Sequence, residues 1–314
     1  MSGDAALSWD AVVDNLVGVI DLKEGKAVHA VAGARDQYGP VQLPRQRSHA
    51  KPLLGSENAS PATSTDREQR TESVGRAPDG DAIGLVEHYR SLGVHQFYVA
   101  DLDALEGGEV QRESLDHLLD LVRSNERWIL DLGLSDQVAS SQLGWMQNWQ
   151  HRLSDVTNPS ATDSPFCSPL GGQVRCRQPQ VGQLQWVVAS ESANKLATPA
   201  FWAGHLGRSS LILGVDFRDG AFASSIASLG STSDRLGAWL KAGQAAGIQA
   251  ALILDVAAVG TGVGPRTATM CEEISRLHSG WRLISGGGCR DAADVAALLR
   301  AGCNDCLVAT ALLR

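Results

Sequence analysis

Apolar residues in this chain gather into short unbroken runs rather than alternating with polar ones. Eight runs stand out, beginning near Val19, Phe97, Trp128, Trp186, Gly214, Ala251, Leu283 and Cys306. Between most of them, apolar residues recur at helical spacing, as in Ile83, Leu85, Val86 and Tyr89, or Ala292, Val295, Leu298 and Leu299. Strands that alternate with amphipathic helices predict parallel strand–helix–strand units. Runs without a polar alternate predict strands buried on both faces.

The runs also form two matching series. Val19-Ile20-Asp21-Leu22-Lys23-Glu24-Gly25-Lys26 pairs with Gly214-Val215-Asp216-Phe217-Arg218-Asp219-Gly220-Ala221. The runs ending at Asp101 and Asp255 pair next, followed by Asp131-Leu132-Gly133 with Gly286-Gly287-Gly288, and Ala189-Ser190 with Ala309-Thr310. Asp101 to Asp136 spans 35 residues and Asp255 to Asp291 spans 36. Elsewhere the first half is longer: Asp21 to Asp101 spans 80 residues, whereas Asp216 to Asp255 spans 39. The excess falls on residues 43–80, a polar stretch rich in Ser, Thr, Pro, Arg and Glu without apolar periodicity. A second excess falls on residues 150–182, punctuated by Asn158-Pro159, Ser164-Pro165 and Gly171-Gly172. Both read as low-complexity insertions expected to be disordered. Without them, roughly 240 residues remain, close to the ~250 of a (β/α)₈ barrel. The predicted fold is therefore α/β: one (β/α)₈ TIM barrel over residues 1–314, built from two half-barrel repeats.

In such a barrel the site lies at the C-terminal ends of the strands. Asp21 and Asp216, related by the repeat, are the candidate catalytic pair. Ser285-Gly286-Gly287-Gly288 follows the seventh run, just before a helix opening at Asp291. Glycines admit an anion close to the backbone, and a helix N-terminus adds free N–H groups. With Ala309, Thr310 and the hydroxyl of Thr261, this predicts a phosphate site. His29, Asp101 and Asp255 are candidate substrate contacts. The first half lacks the glycine triplet and offers Asp131 and Glu191 instead, which would repel phosphate. One phosphate site is expected, not two.

Composition narrows the class. The 27 basic and 35 acidic residues give a net charge of −8, against a nucleic-acid binder. No apolar run approaches a membrane span, and the N-terminus does not read as a signal peptide, so a cytoplasmic chain is expected. The eight histidines show no metal-ligand spacing. Cys303 and Cys306 form a lone C-x-x-C that reads as buried thiol. No metal and no cofactor are expected; the expected partner is a phosphorylated small molecule. The oligomeric state is left open.

Together the segments around Asp21, Asp101, Asp216, Gly260-Thr261 and Ser285-Gly286-Gly287-Gly288 resemble the histidine-biosynthesis barrel family of the isomerase HisA and the cyclase HisF. HisA resemblance implies an aldose–ketose rearrangement of a bis-phosphorylated ribotide, with Asp21 as base and Asp216 assisting. It also implies a second catalytic aspartate in an Asp-Gly-Thr motif, which here reads Val259-Gly260-Thr261. The loop 26–41 is similar to a divergent subgroup tied to tetrahydromethanopterin-type one-carbon metabolism. Three readings stay open: an isomerase of another phosphorylated sugar or ribotide, genuine HisA activity, and a barrel that binds ligand without catalysis.

Overall fold

The computed structural model describes residues 7–34, 38–44, 79–155, 183–226 and 231–314. Two short 3-10 turns, Trp9–Ala11 and Val13–Asn15, lead into β1 (Leu16–Lys23), β2 (Lys26–His29) and β3 (Gly39–Pro40). Then follow α1 (Ala82–Ser91), β4 (Gln96–Asp101), α2 (Leu102–Leu105), α3 (Arg112–Leu119), β5 (Arg127–Asp131) and α4 (Ser140–Asp155). The remainder is β6 (Gln183–Ala189), α5 (Thr198–Leu206), β7 (Leu211–Arg218), β8 (Ala221–Phe222), α6 (Thr232–Ala245), β9 (Ala250–Asp255), α7 (Ala268–Leu277), β10 (Arg282–Gly286), α8 (Ala292–Arg300) and β11 (Asp305–Val308). A last 3-10 turn covers Thr310–Leu313.

Eight strands pair in parallel in the order β1-β4-β5-β6-β7-β9-β10-β11, and β11 returns to β1 through Leu16 opposite Cys306. The sheet therefore closes into an eight-stranded parallel barrel, and the (β/α)₈ expectation holds. Alternate residues of each strand separate two apolar layers. Tyr98, Ile129, Val187, Ile212, Leu252 and Ile284 fill the interior. Their neighbours Phe97, Val99, Trp128, Leu130 and Val188 pack outward with the helices. This is why the runs carry no polar alternate.

The internal repeat extends to register and backbone strain. Leu22 lies opposite Asp101 on β4, and Phe217 opposite Asp255 on β9. After β1 and after β7 the chain turns back through two residues of positive φ: Glu24 (50°) and Gly25 (75°), then Asp219 (52°) and Gly220 (78°). Such a turn suits the twist of the hairpin it joins. Asp255 accepts from the N–H groups of Asp219 and Gly220 at 3.1 and 2.9 Å. In the first half Asp103 and Gln111 take the matching N–H groups of Glu24 and Gly25, at 3.0 and 2.6 Å.

The far end of the barrel is closed by side chains at the strand starts. Arg282 and Gln96 both reach Asp305, at 2.8 and 2.7 Å, and Arg282 and Arg127 both donate to Gln96 Oε1. This end carries stability rather than chemistry.

Three sequence expectations need adjustment. Ile83, grouped with Leu85, Val86 and Tyr89 by its helical spacing, is 44% exposed, because α1, capped by Asp81, turns the other three inward. The first insertion starts later and stops earlier than residues 43–80, since Leu43 packs on the core and Gly80 bonds to Ala27 and Val41. The second does not begin at residue 150: α4 runs to Asp155, and Gln150 accepts from the Trp186 indole at 2.8 Å. Residues 45–78 and 156–182 lie outside the described residues. The Cys303 and Cys306 thiols are free and buried, as the sequence suggested. Among the described residues no helix is long and apolar enough to cross a membrane.

Candidate active site

A cavity of about 1290 Å³ opens at the C-terminal ends of the strands. Asp21 and Asp216 both line it, as do His29, Thr261, Gly287, Gly288, Ala309 and Thr310. Ser285, Gly286, Asp101 and Asp255 do not. The Ser285 hydroxyl bonds to Ile253 O and Thr267 Oγ1 at 2.7 and 2.6 Å, and Gly286 lies flat against Leu307. Asp101 caps α2 and also takes both the backbone and side-chain N–H of Gln111. Asp255 holds the β7–β8 turn. These two aspartates shape the rim without facing the cavity.

The predicted phosphate end is built from backbone. Gly287 and Gly288 both have positive φ, 84° and 83°, and a Cβ on Gly288 would sit 2.8 Å from Ala258 O. Only glycine fits such a turn without strain. Among the described residues the N–H groups of Gly287, Gly288 and Thr310 donate to no other group of the protein. They leave an anion-accepting face between β10 and the 3-10 turn after β11. The start of α8 does not add to it, contrary to expectation: Asp291 already accepts from Ala293 N and Asp294 N, both at 3.0 Å. Thr261 turns its hydroxyl to Ala258 O at 2.8 Å. Arg290 lines the cavity while gripping Asp294 at 2.8 Å.

Buried carboxylates line the rest of the mouth. Burial pushes Asp21 up to about 7, against a hydrogen bond from the Ala30 backbone. Burial also pushes Asp216 up to about 7, reinforced by the neighbouring carboxylates of Asp131 and Glu191. Asp131 rises to about 6 by burial, opposed by hydrogen bonds from Gly133 N and Tyr98. Carboxyl groups held near neutrality can give and take protons at physiological pH. Ser190 sets Asp216 in place: its hydroxyl oxygen accepts from Asp216 N at 3.0 Å. It lies 3.1 Å from Asp216 Oδ2 and 2.8 Å from Ala223 O. One hydroxyl proton serves one of these two acceptors at a time. His29, at the end of β2, is lowered by burial.

Tyr98 and Ser190 were not singled out as site residues from sequence, and Asp131 and Glu191 were read only as phosphate-repelling. The repeat held the signal for three of them. Tyr98 stands where the other half has Leu252, Asp131 where it has Gly286, and Glu191 where it has Ala311. Polar side chains that break an internal symmetry at strand ends are where the two halves of one mouth diverge.

Fold and mouth define a (β/α)₈ barrel with buried carboxylates and glycine-rich backbone lining one cavity. Residues 177–314 match the family described as histidine biosynthesis protein. The match covers the second half of the chain, and the closed parallel barrel carries the same architecture through the first. No curated protein matches the chain.

Proposed function

We propose that this protein is a HisA-like isomerase-type enzyme acting on a phosphorylated sugar or ribotide, with Asp21 as the base and Asp216 as its partner. The HisA/HisF-family barrel suggests an isomerase- or cyclase-type role in histidine biosynthesis. The observation that carries the finer reading is the shared cavity: two buried aspartates from equivalent strands face it together with the free N–H groups of Gly287 and Gly288. An aldose–ketose rearrangement takes a proton from the carbon next to the carbonyl and returns one to its neighbour. A carboxyl near neutral pKa suits both transfers.

Two features weigh against the ordinary bis-phosphorylated substrate. Val259 stands where the resemblance implies an aspartate, and its carbonyl accepts from Ala32 N at 2.7 Å under the folded-back loop after β2. Gly260 is needed there because its Cα faces Ala30 O too closely for any side chain. Asp131 occupies the position of a second phosphate loop.

The test is to incubate the protein with phosphorylated aminoaldoses in deuterated water and follow ketose formation and isotope uptake. Asp21→Asn should lose both; unchanged turnover would remove Asp21 from the chemistry. A HisA-deficient strain carrying the gene should not grow without histidine, and growth would put genuine HisA activity in its place. Ligand-dependent stabilisation without turnover or isotope uptake would leave a non-catalytic binding barrel.

A further inference from the structure

Two buried carboxylates of the acidic wall make no ion pair. Asp131 and Asp216 are nine-tenths or more buried, at 5% and 9% exposure, and both line the cavity. Neither makes an ion pair with any Lys, Arg or His among the described residues. Asp131 spends its acceptors on Tyr98 and Gly133 N. Asp216 uses Oδ2 for Ser190 and Glu191 N, whereas its Oδ1 accepts nothing among the described residues and belongs to a side chain that faces the cavity. Glu191, close enough to perturb both, meets Arg218 only at 3.7 Å, and that arginine is half-exposed at the rim. A buried carboxylate without hydrogen-bonding partners or an opposite charge is costly, so an uncommitted oxygen facing a cavity marks a place for a donor. Among the described residues no group of three or more His, Cys, Asp or Glu is arranged to hold a metal ion.

We propose that this wall is a subsite for a protonated nitrogen, so that the cavity takes a small amine-bearing monophosphate: phosphate against Gly287 and Gly288, and an ammonium or amidinium group against Asp216 and Asp131. The inference rests on the reading of Gly287 and Gly288 as the phosphate end. It reverses the charge expected at the other end of a bis-phosphorylated ligand. Asp216 Oδ1 receives the nitrogen directly. Asp131, held by Tyr98, supplies charge behind it, and Glu191 adds more from the rim. Charge-assisted hydrogen bonds of this kind are about twice as strong as neutral ones.

The experiment is a calorimetric comparison on the full chain of aminobutyl and aminohexyl phosphate, each against its hydroxyl counterpart. The amines should bind about tenfold tighter or more. In Asp131→Asn that preference should shrink towards unity, while stabilisation by inorganic phosphate persists and shows that the variant is folded. Equal affinity of amine and hydroxyl probes for the unaltered protein overturns the proposal. So does thermal stabilisation by Mg²⁺ or Mn²⁺ alone that depends on Asp131. Amine preference without any contribution from the phosphate group would keep the subsite and sink the phosphate end. Amine preference without turnover of any aminoaldose would leave the subsite standing and overturn the isomerase reading alone.

Discussion

Tyr98 on β4 donates its hydroxyl to Asp131 Oδ2 on β5 at 3.0 Å, and both side chains line the cavity. Burial first, then the charges of Asp131 and Asp21, hold the Tyr98 phenol well above its ordinary range, so it serves here as a hydrogen-bond donor and not as an acid. Tyr98→Phe leaves Asp131 with only Gly133 N as a donor. The variant should lose about 1–3 kcal/mol of stability, the usual cost of an orphaned buried partner. Urea unfolding at neutral pH checks this; an unchanged midpoint would mean that Asp131 finds another donor.

Stability should fall as pH rises through the acidic-to-neutral range. Asp21 and Asp216 titrate near 7 in the folded chain and near 3.8 when unfolded. Between those values the folded state holds the extra protons, so this contribution is full below about 4 and lost as pH passes about 7. A shift of about three units corresponds to roughly 4 kcal/mol per group at most. Asp216→Asn removes its share, and should flatten the melting-temperature profile from pH 4 to 8 while raising the value at the alkaline end. A profile as steep as that of the unaltered chain would show that Asp216 carries no such proton.

Gly287→Ala should uncouple phosphate binding from folding. A methyl at φ 84° is strained, and it would meet Leu254 Cδ1 at 3.2 Å, a flexible neighbour. The barrel should survive with a loss on the order of 1–2 kcal/mol. The thermal shift given by inorganic phosphate should disappear. Its persistence would move the phosphate to another part of the mouth.

Arg282→Ala tests the opposite end. Asp305, 4% exposed, would keep only Arg127 at 3.9 Å as an ionic partner, for a loss of about 3 kcal/mol, the low end for a broken buried pair. Ligand binding in the surviving folded fraction should be unaltered, because Arg282 starts β10 and the cavity lies at its end. Weakened phosphate affinity would contradict the division of the barrel into a stability end and a chemistry end.

The barrel was legible because closure depends on period and order. Unbroken apolar runs, helical spacing between them and two parallel series of landmarks leave few alternatives. Asp21, Asp216, Gly287 and Gly288 were legible for the same reason, since strand order places them at one mouth. Orientation was not. Asp101 and Asp255 end β4 and β9, whereas Asp21 and Asp216 lie two residues before the ends of β1 and β7. Asp101 turns to Ala104 and Gln111 and Asp255 to the β7–β8 turn, and one residue of register decides which face a side chain meets. The role of Asp291 also escaped: a helix N-terminus looks free in sequence until a capping carboxylate folds back on it. Tyr98 was hidden because a tyrosine in an apolar run reads as core, and its hydroxyl acquires meaning only once β5 brings Asp131 beside it.

The rim beside β2 carries one more consequence. Ala27 N bonds to Gly80 O, Gly80 N to Val41 O and Val41 N to Ala27 O, each at 2.8–2.9 Å. Chain leaving past Val41 and chain arriving at Gly80 are thus stapled to the same residue. For a loop whose ends are already joined, each doubling of length adds only about 0.6 kcal/mol of closure entropy. The barrel therefore has a splice port at its mouth, where inserted chain can lengthen, shorten or be exchanged for a reporter domain with little effect on the strands beneath.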